Sequence, residues 1–254
     1  MNRRALVATH HKTGTTWMIA TFREISRRLD IPYLNAVSKP KAEIRKTTTP
    51  LILFHGHGFK GHSKLLADTE VRIFHLIRDP RDVVISGMRF HRVARETWLH
   101  NPKNKFDGLS YQAKLNSLPT DRERYLFEMK HVRSIGHMMN WDYGLPNCFT
   151  CKYEDLICDT DTEMFAKIAS HLGFSDGEVD ICRECFWRHH IFGGMSEEKL
   201  NRKRHVRAGD ARQWPAIFDR EMGEEFMRCH GEALVRLGYE VDDSWIGSLP
   251  SRCQ

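Results

Sequence analysis

Three short stretches of this 254-residue chain carry residues of chemical use, the first two suited by type and spacing to the handling of a phosphate-like anion. The first is His11-Lys12-Thr13-Gly14-Thr15-Thr16-Trp17. Such an anion needs backbone N–H donors, a helix N-terminus and a cation. Gly14 permits a tight backbone path, Thr15 and Thr16 bring hydroxyls to a helix start, and Lys12 brings the charge. The second stretch is Arg78-Asp79-Pro80-Arg81-Asp82-Val83-Val84-Ile85-Ser86. Arg78 offers a planar fork of donors matched to phosphate. Pro80 fixes a strand-to-helix turn, and Ser86 follows about two helical turns on. An ion pair of Arg78 with Asp82 is the plain alternative. The third stretch holds His55 and His57. A neutral imidazole can take a proton near pH 7. Residues two apart on a strand point the same way, so both would face one site. The other histidines, His10, His11, His189 and His190 among them, read as surface or core polar residues.

These residues can act together only if the fold brings them to one place. Ala5 to Thr9 is a short apolar run, the mark of a buried parallel strand. Met18, Phe22, Ile25 and Leu29 then recur at helical spacing until Pro32. Leu51 to Gly58 and Val71 to Arg78 read as further strands, and Asp82 to Arg95 as a helix. A fourth strand is expected at Cys148 to Tyr153. Helices are expected at Asp161 to Leu172, Glu178 to His190 and Asp219 to Leu237. Strands alternating with helices predict an α/β fold with a mostly parallel sheet flanked by helices. Ligands of such sheets bind at the carboxyl ends of the strands, where His10–Thr16, His55–Gly58 and Arg78–Arg81 all fall. The stretch from Phe90 to Asn147 is less patterned and predicts short helices and loops.

Lys12-Thr13-Gly14-Thr15-Thr16-Trp17 resembles the K-[ST]-G-T-T-W loop of sulfotransferases that use 3′-phosphoadenosine-5′-phosphosulfate (PAPS). The Lys precedes Gly14, unlike the usual phosphate loop of nucleotide kinases, where it follows the second glycine. The resemblance implies a P-loop-type three-layer core. It implies that this loop, Thr13, Gly14, Thr15 and Thr16 included, grips the 5′-phosphosulfate. Lys12 would meet the bridging oxygen that gains charge as the S–O bond breaks, and Trp17 would help stack the adenine. Arg78 to Ser86 resembles the family's R-[DN]-P-x-D-x-x-x-S segment, so Arg78 and Ser86 would hold the 3′-phosphate. Tyr153-Glu154-Asp155-Leu156 resembles its Y-E-D-[LM] segment, which gives Tyr153 an adenine contact. Arg207-Ala208-Gly209 with Trp214 is similar in frame to the family's R-K-G-x-x-G-D-W flap. Here Ala208 replaces the usual Lys and Arg212-Gln213 replace Gly-Asp, which implies a weaker grip or compensation by Arg212, Lys203 or Arg204. The family's base is a His in a K-x-H setting. That pattern favours His57 as base, with His55 in the Lys position, and His55 remains the alternative.

The implied activity is transfer of a sulfuryl group from PAPS to a hydroxyl or amine of an acceptor, releasing 3′-phosphoadenosine-5′-phosphate (PAP). No metal is required, since Lys, Arg and helix dipoles carry the charge. The acceptor is a small molecule or a saccharide. Two other readings stand beside this one: a P-loop-type nucleotide kinase, whose G-K-[ST] signature is absent, and a non-catalytic nucleotide-binding member. A single domain over residues 1–254 is expected, with 89–147 and 186–213 as covering segments on the acceptor side. Formal net charge is +6, with 39 Lys and Arg against 33 Asp and Glu. No stripe of basic residues or nucleic-acid motif accompanies it, so no nucleic-acid partner is expected. No apolar run is long enough for a membrane span or a secretory core, which predicts a cytoplasmic protein. Seven cysteines, an odd number, predict free thiols. Two C-x-x-C pairs, Cys148/Cys151 and Cys182/Cys185, fall in a strand and a helix, where burial explains them better than zinc. The family's dimerisation motif (K-x-x-x-T-V-x-x-x-E) is missing, while a homodimer of another geometry stays compatible.

Overall fold

The computed structural model describes residues 4–35, 50–55, 66–193 and 211–251. They group into two compact units, one formed by Met1–Arg78 with Asn140–Ala211 and the other by Asp79–Met139 with Arg212–Gln254.

The first unit holds the sheet. Its strands are β1 (Arg4–Thr9), β2 (Tyr33–Asn35), β3 (Leu51–His55), β4 (Val71–Ile77) and β5 (Cys148–Lys152). Their order is β2-β3-β1-β4-β5, and every pairing is parallel. The expected α/β class, a parallel sheet flanked by helices, is therefore what the chain forms. The three-residue β2 escaped the sequence pattern, being too short to show a period. β1 lies between β3 and β4, so the chain turns opposite ways on its two sides and opens a crevice at its carboxyl end.

Side chains alternate across the strands. Ala5 and Val7 of β1, with Phe74 and Leu76 of β4, pack in a core with Met18, Phe22 and Ile25 of α1 (Thr15–Leu29). The same core takes Phe165 of α2 (Glu163–Leu172) and Phe186 of α3 (Asp176–His189), whose rings stack at 4.3 Å. Each of the larger of these side chains, fully buried, contributes about 1.5–3 kcal/mol. Leu6, Ala8, Val71 and Ile73 face the other way and pack with Trp141. β5 ends at Lys152, one residue earlier than the pattern predicts, because Tyr153 already opens the short helix α4 (Tyr153–Ile157).

The second unit is helical. α5 (Pro80–His91) starts with Pro80 at its first position and Asp79 as N-cap, whose carboxylate accepts from Arg81 N–H at 2.9 Å. It ends at His91 rather than Arg95: the Gln112 side-chain amide donates to the carbonyls of His91 and Ala94, drawing the chain off the helical path. Residues 92–139 form α6 (Thr97–His100), α7 (Tyr111–Ser117), α8 (Asp121–His131) and α9 (Ser134–Met139), the short helices expected of that stretch. Buried Glu128 joins them to α5, accepting from Tyr111 OH at 2.7 Å and sitting 2.9 Å from His91 Nδ1. α10 (Arg220–Arg236) is capped by Asp219, which also meets Arg122 at 2.8 Å. Among the described residues no helix is long and apolar enough to cross a membrane.

Candidate active site

The carboxyl ends of β1, β3, β4 and β5 deliver the loop before α1, His55, Arg78 and Tyr153 to one edge of the sheet. The loop is built around His10. Its carbonyl accepts from Thr13 N–H at 3.2 Å, from Thr13 Oγ1–H at 3.0 Å and from Thr15 Oγ1–H at 2.9 Å. Its own N–H donates to Thr13 Oγ1 at 2.8 Å. Thr13 is thus fully buried as a strut, while Thr16 is exposed. Two residues take the left-handed backbone, Lys12 at φ 70° and Gly14 at φ 105°. A lysine held there costs about 1–3 kcal/mol, strain typical of a functional loop. Gly14 is required twice over, since a Cβ would lie 3.2 Å from both Leu76 Cδ2 and Tyr153 Cδ2. Gly14 is also the N-cap residue of α1, so no side chain caps that helix. A long helix presenting an uncapped N-terminus beside a lysine fits an anion.

Arg78 braces this loop. It is 7 % exposed, its Nη1–H donates to the Lys12 carbonyl at 3.3 Å, and its guanidinium carbon lies 4.4 Å from the centre of the Tyr153 ring. Tyr153 meets Trp17 edge-on at 6.0 Å, and Trp17 stacks on Phe186 at 5.2 Å. Five residues named from sequence, Lys12, Gly14, Trp17, Arg78 and Tyr153, therefore share one neighbourhood in the first unit. Ser86 lies half-buried on α5 in the second unit.

The rest of the Arg78 motif does different work. Arg81 is 2 % exposed and forks onto Asp79 with Nε–Oδ1 at 3.0 Å and Nη2–Oδ2 at 2.7 Å. Its Nη1 meets Glu240 at 2.6 Å, and its guanidinium carbon lies 3.6 Å from the centre of the Trp214 ring and 4.6 Å from that of Trp245. The Asp82 carboxylate accepts from the backbone N–H groups of Gln213 and Trp214, each at 3.0 Å. Arg81 and Asp82 thus hold the polypeptide on the C-terminal side of the 207–209 stretch.

His55 is the last residue of β3 and is in register with Thr9, the last of β1. His57, Arg207, Ala208 and Gly209 lie outside the described residues. Sequence reading passed over a buried histidine pair, His10 with His75, whose Nε2 atoms are 2.8 Å apart. A histidine inside the apolar strand Val71–Ile77 was the signal available.

The six described cysteines are free thiols. Burial pushes Cys148 up to about 11 and Cys151 up to about 12, and raises Cys182 and Cys185 as well. None of these is a reactive thiolate. Among the described residues no group of three or more His, Cys, Asp or Glu is placed to hold a metal ion.

The geometry defines an α/β protein with Lys12 and Arg78 beside the uncapped N-terminus of α1 at the sheet's switch point. The model of the sulfotransferase domain matches residues 2–238, spanning both units, and the chain belongs to the sulfotransferase family. It is accordingly an enzyme of sulfuryl transfer. Mouse sulfotransferase 2A1 is 22% identical over 261 residues, covering 91% of this chain and 84% of its own length. Two solved structures are similar in fold. Mouse sulfotransferase SULT7A1 complexed with PAP has a TM-score of 0.59 at 15% identity, over 93% of this chain and 89% of that one. Retinol dehydratase in a complex with retinol and PAP has a TM-score of 0.56 at 17% identity, over 91% and 81% of the two chains.

Proposed function

We propose that the sulfuryl donor is PAPS, that Lys12 stabilises the leaving phosphate and that His57, or His55 at the end of β3, is the base. The observation that carries this reading is the loop itself. Left-handed Lys12 and Gly14 lead into the uncapped α1, and Arg78 hydrogen-bonds back to Lys12, in a chain matched to the sulfotransferase domain almost throughout. Bound PAPS supplies a sulfur bonded to a good phosphate leaving group. The protein supplies everything else. Thr13, Gly14, Thr15 and Thr16 shape the cradle for the 5′-phosphosulfate, and Arg78 and Ser86 neutralise the 3′-phosphate. Trp17 and Tyr153 flank the adenine. Arg207, Ala208 and Gly209 join the 3′-phosphate contact on the family pattern. His57, or His55 in its place, takes the acceptor proton as the acceptor oxygen attacks sulfur in line. Lys12 meets the charge that develops as the S–O bond breaks, a contribution commonly worth about 3–4 kcal/mol.

The acceptor is a small molecule bearing a hydroxyl, as androsterone and retinol do in the complexes of retinol dehydratase with PAP. A cytoplasmic setting accords with the six free thiols, which a reducing compartment preserves.

The test compares thermal stabilisation by PAP, AMP and ATP with Mg²⁺. Stabilisation by PAP alone is expected, since a ligand that binds only the folded state raises the melting temperature. A stronger response to ATP with Mg²⁺ would favour a kinase and remove the assignment of Arg78 and Ser86. Lys12→Ala is expected to lower turnover by at least about 100-fold with the melting temperature preserved. Turnover at the wild-type rate in that variant would end the role given to Lys12.

A further inference from the structure

Beneath the loop lies a polar cluster that the family motifs leave without a role. His75 stands in β4, opposite Ala8 of β1 and Thr150 of β5. It and His10 are both fully buried, with Nε2 atoms 2.8 Å apart. Trp141 stacks on the His75 ring at 3.9 Å with 12° between planes, and meets His10 edge-on at 6.4 Å. Thr150 Oγ1 lies 3.3 Å from His75 Nδ1. Two imidazole nitrogens at this separation share one proton, one ring donating and the other accepting. Burial and the neighbouring His10 hold His75 well below the ordinary histidine range, so it is neutral at pH 7.

The other end of His10 explains why this matters. Its main-chain N–H and carbonyl make the four hydrogen bonds to Thr13 and Thr15 that shape the loop. Lys12 sits inside that turn in a left-handed conformation it would not hold unaided. His10 is thus tied by its backbone to the anion loop and by its ring to the middle of the sheet. A purely apolar side chain at position 75 would leave a buried His10 nitrogen without this bond.

We propose that His75 is a positioning residue for the sulfuryl donor: its Nε2–Nε2 hydrogen bond to His10 fixes the His10–Thr15 turn, and with it Lys12, in the donor-binding form. The proposal rests on the reading of the donor as PAPS. It is also specific about geometry. The amide of glutamine reaches the depth of the histidine Nε2 and can serve as donor or acceptor, whereas that of asparagine reaches only the depth of Nδ1.

The experiment measures the Kd of PAP by calorimetry, and KM for PAPS and for the acceptor, in the wild type, His75→Leu, His75→Asn and His75→Gln. Wild-type binding of PAP comes first, and its failure would overturn the donor reading and this proposal with it. Given wild-type binding, His75→Leu and His75→Asn are expected to raise Kd for PAP and KM for PAPS about 5- to 100-fold, with acceptor KM unchanged. His75→Gln is expected to recover most of the loss. Should His75→Leu lose its cooperative melting transition, the Asn and Gln pair decides by itself. Equal PAP affinity in those two variants, or wild-type affinity in His75→Leu, would overturn the proposal while leaving the donor reading intact.

Discussion

Arg78 and Arg81 stand three residues apart in one motif, yet the structure gives them opposite tasks. Arg78 closes the first unit, laid on Tyr153 and bonded to a carbonyl of a strained loop. Arg81 opens the second unit, its charge met by Asp79 and Glu240 and its guanidinium packed on Trp214 and Trp245. The first is bonded to a neutral carbonyl and laid on an aromatic ring. The second is a buried ion-pair network with its charge already met. On the proposed reading of the donor, the difference teaches that a run of basic residues divides into binding and building parts. The division is set by where carboxylates lie in space.

Substitution at both positions tests that division. Arg81→Met removes the partner of Asp79, which is 2 % exposed, and is expected to cost about 3–5 kcal/mol. The check is denaturant unfolding, and a loss below about 1 kcal/mol would break the contrast. Arg78→Met is expected to raise Kd for PAP about 10- to 100-fold, with stability lowered by no more than about 1–2 kcal/mol. Equal stability losses in the two variants would show that both arginines build. Gly14→Ala sharpens the loop side of the comparison. It forces a Cβ at φ 105° into contacts of 3.2 Å and is expected to cost about 1–2 kcal/mol, read as a lower melting temperature and weaker PAP binding.

The smallest expected effect is on pH. Burial lowers His75, His131, His190 and His230 below the ordinary histidine value. The unfolded chain therefore binds more protons than the folded one once the pH drops below about 6.5. The stability these groups contribute is complete above that pH and is lost as the pH falls toward their folded values. Between pH 7 and 5 a loss of about 1 kcal/mol or more is expected, and His75→Leu should flatten the profile, as followed by urea unfolding. A profile unchanged in that variant would show that His75 binds its proton as readily in the folded chain as in the unfolded one.

Much of this was legible beforehand because it is written in local chemistry. The strands at Ala5 and Val71 show as apolar runs, and α1 shows in the spacing of Met18, Phe22 and Ile25. Lys12-Thr13-Gly14-Thr15-Thr16 is contiguous, so a loop and its charge are visible in one line of text. The end of α5 was misjudged because Gln112, more than twenty residues away from His91, supplies the amide that stops it. Tyr153, expected to end β5, instead opens a short helix, since one residue separates the strand end from the helix start.

The sequence by itself determined the alternation of strands and helices, the loop before α1 and the family. Those follow from periods and contiguous residues, which need no partner from elsewhere. Only the tertiary structure decided that Arg81 is a buried brace, that Arg78 supports Lys12, and that His75 meets His10. Each of those pairings joins residues whose meeting depends on strand register and helix packing. His10 and His75 are 65 positions apart, and it is the parallel pairing of β1 with β4 that brings them within one hydrogen bond.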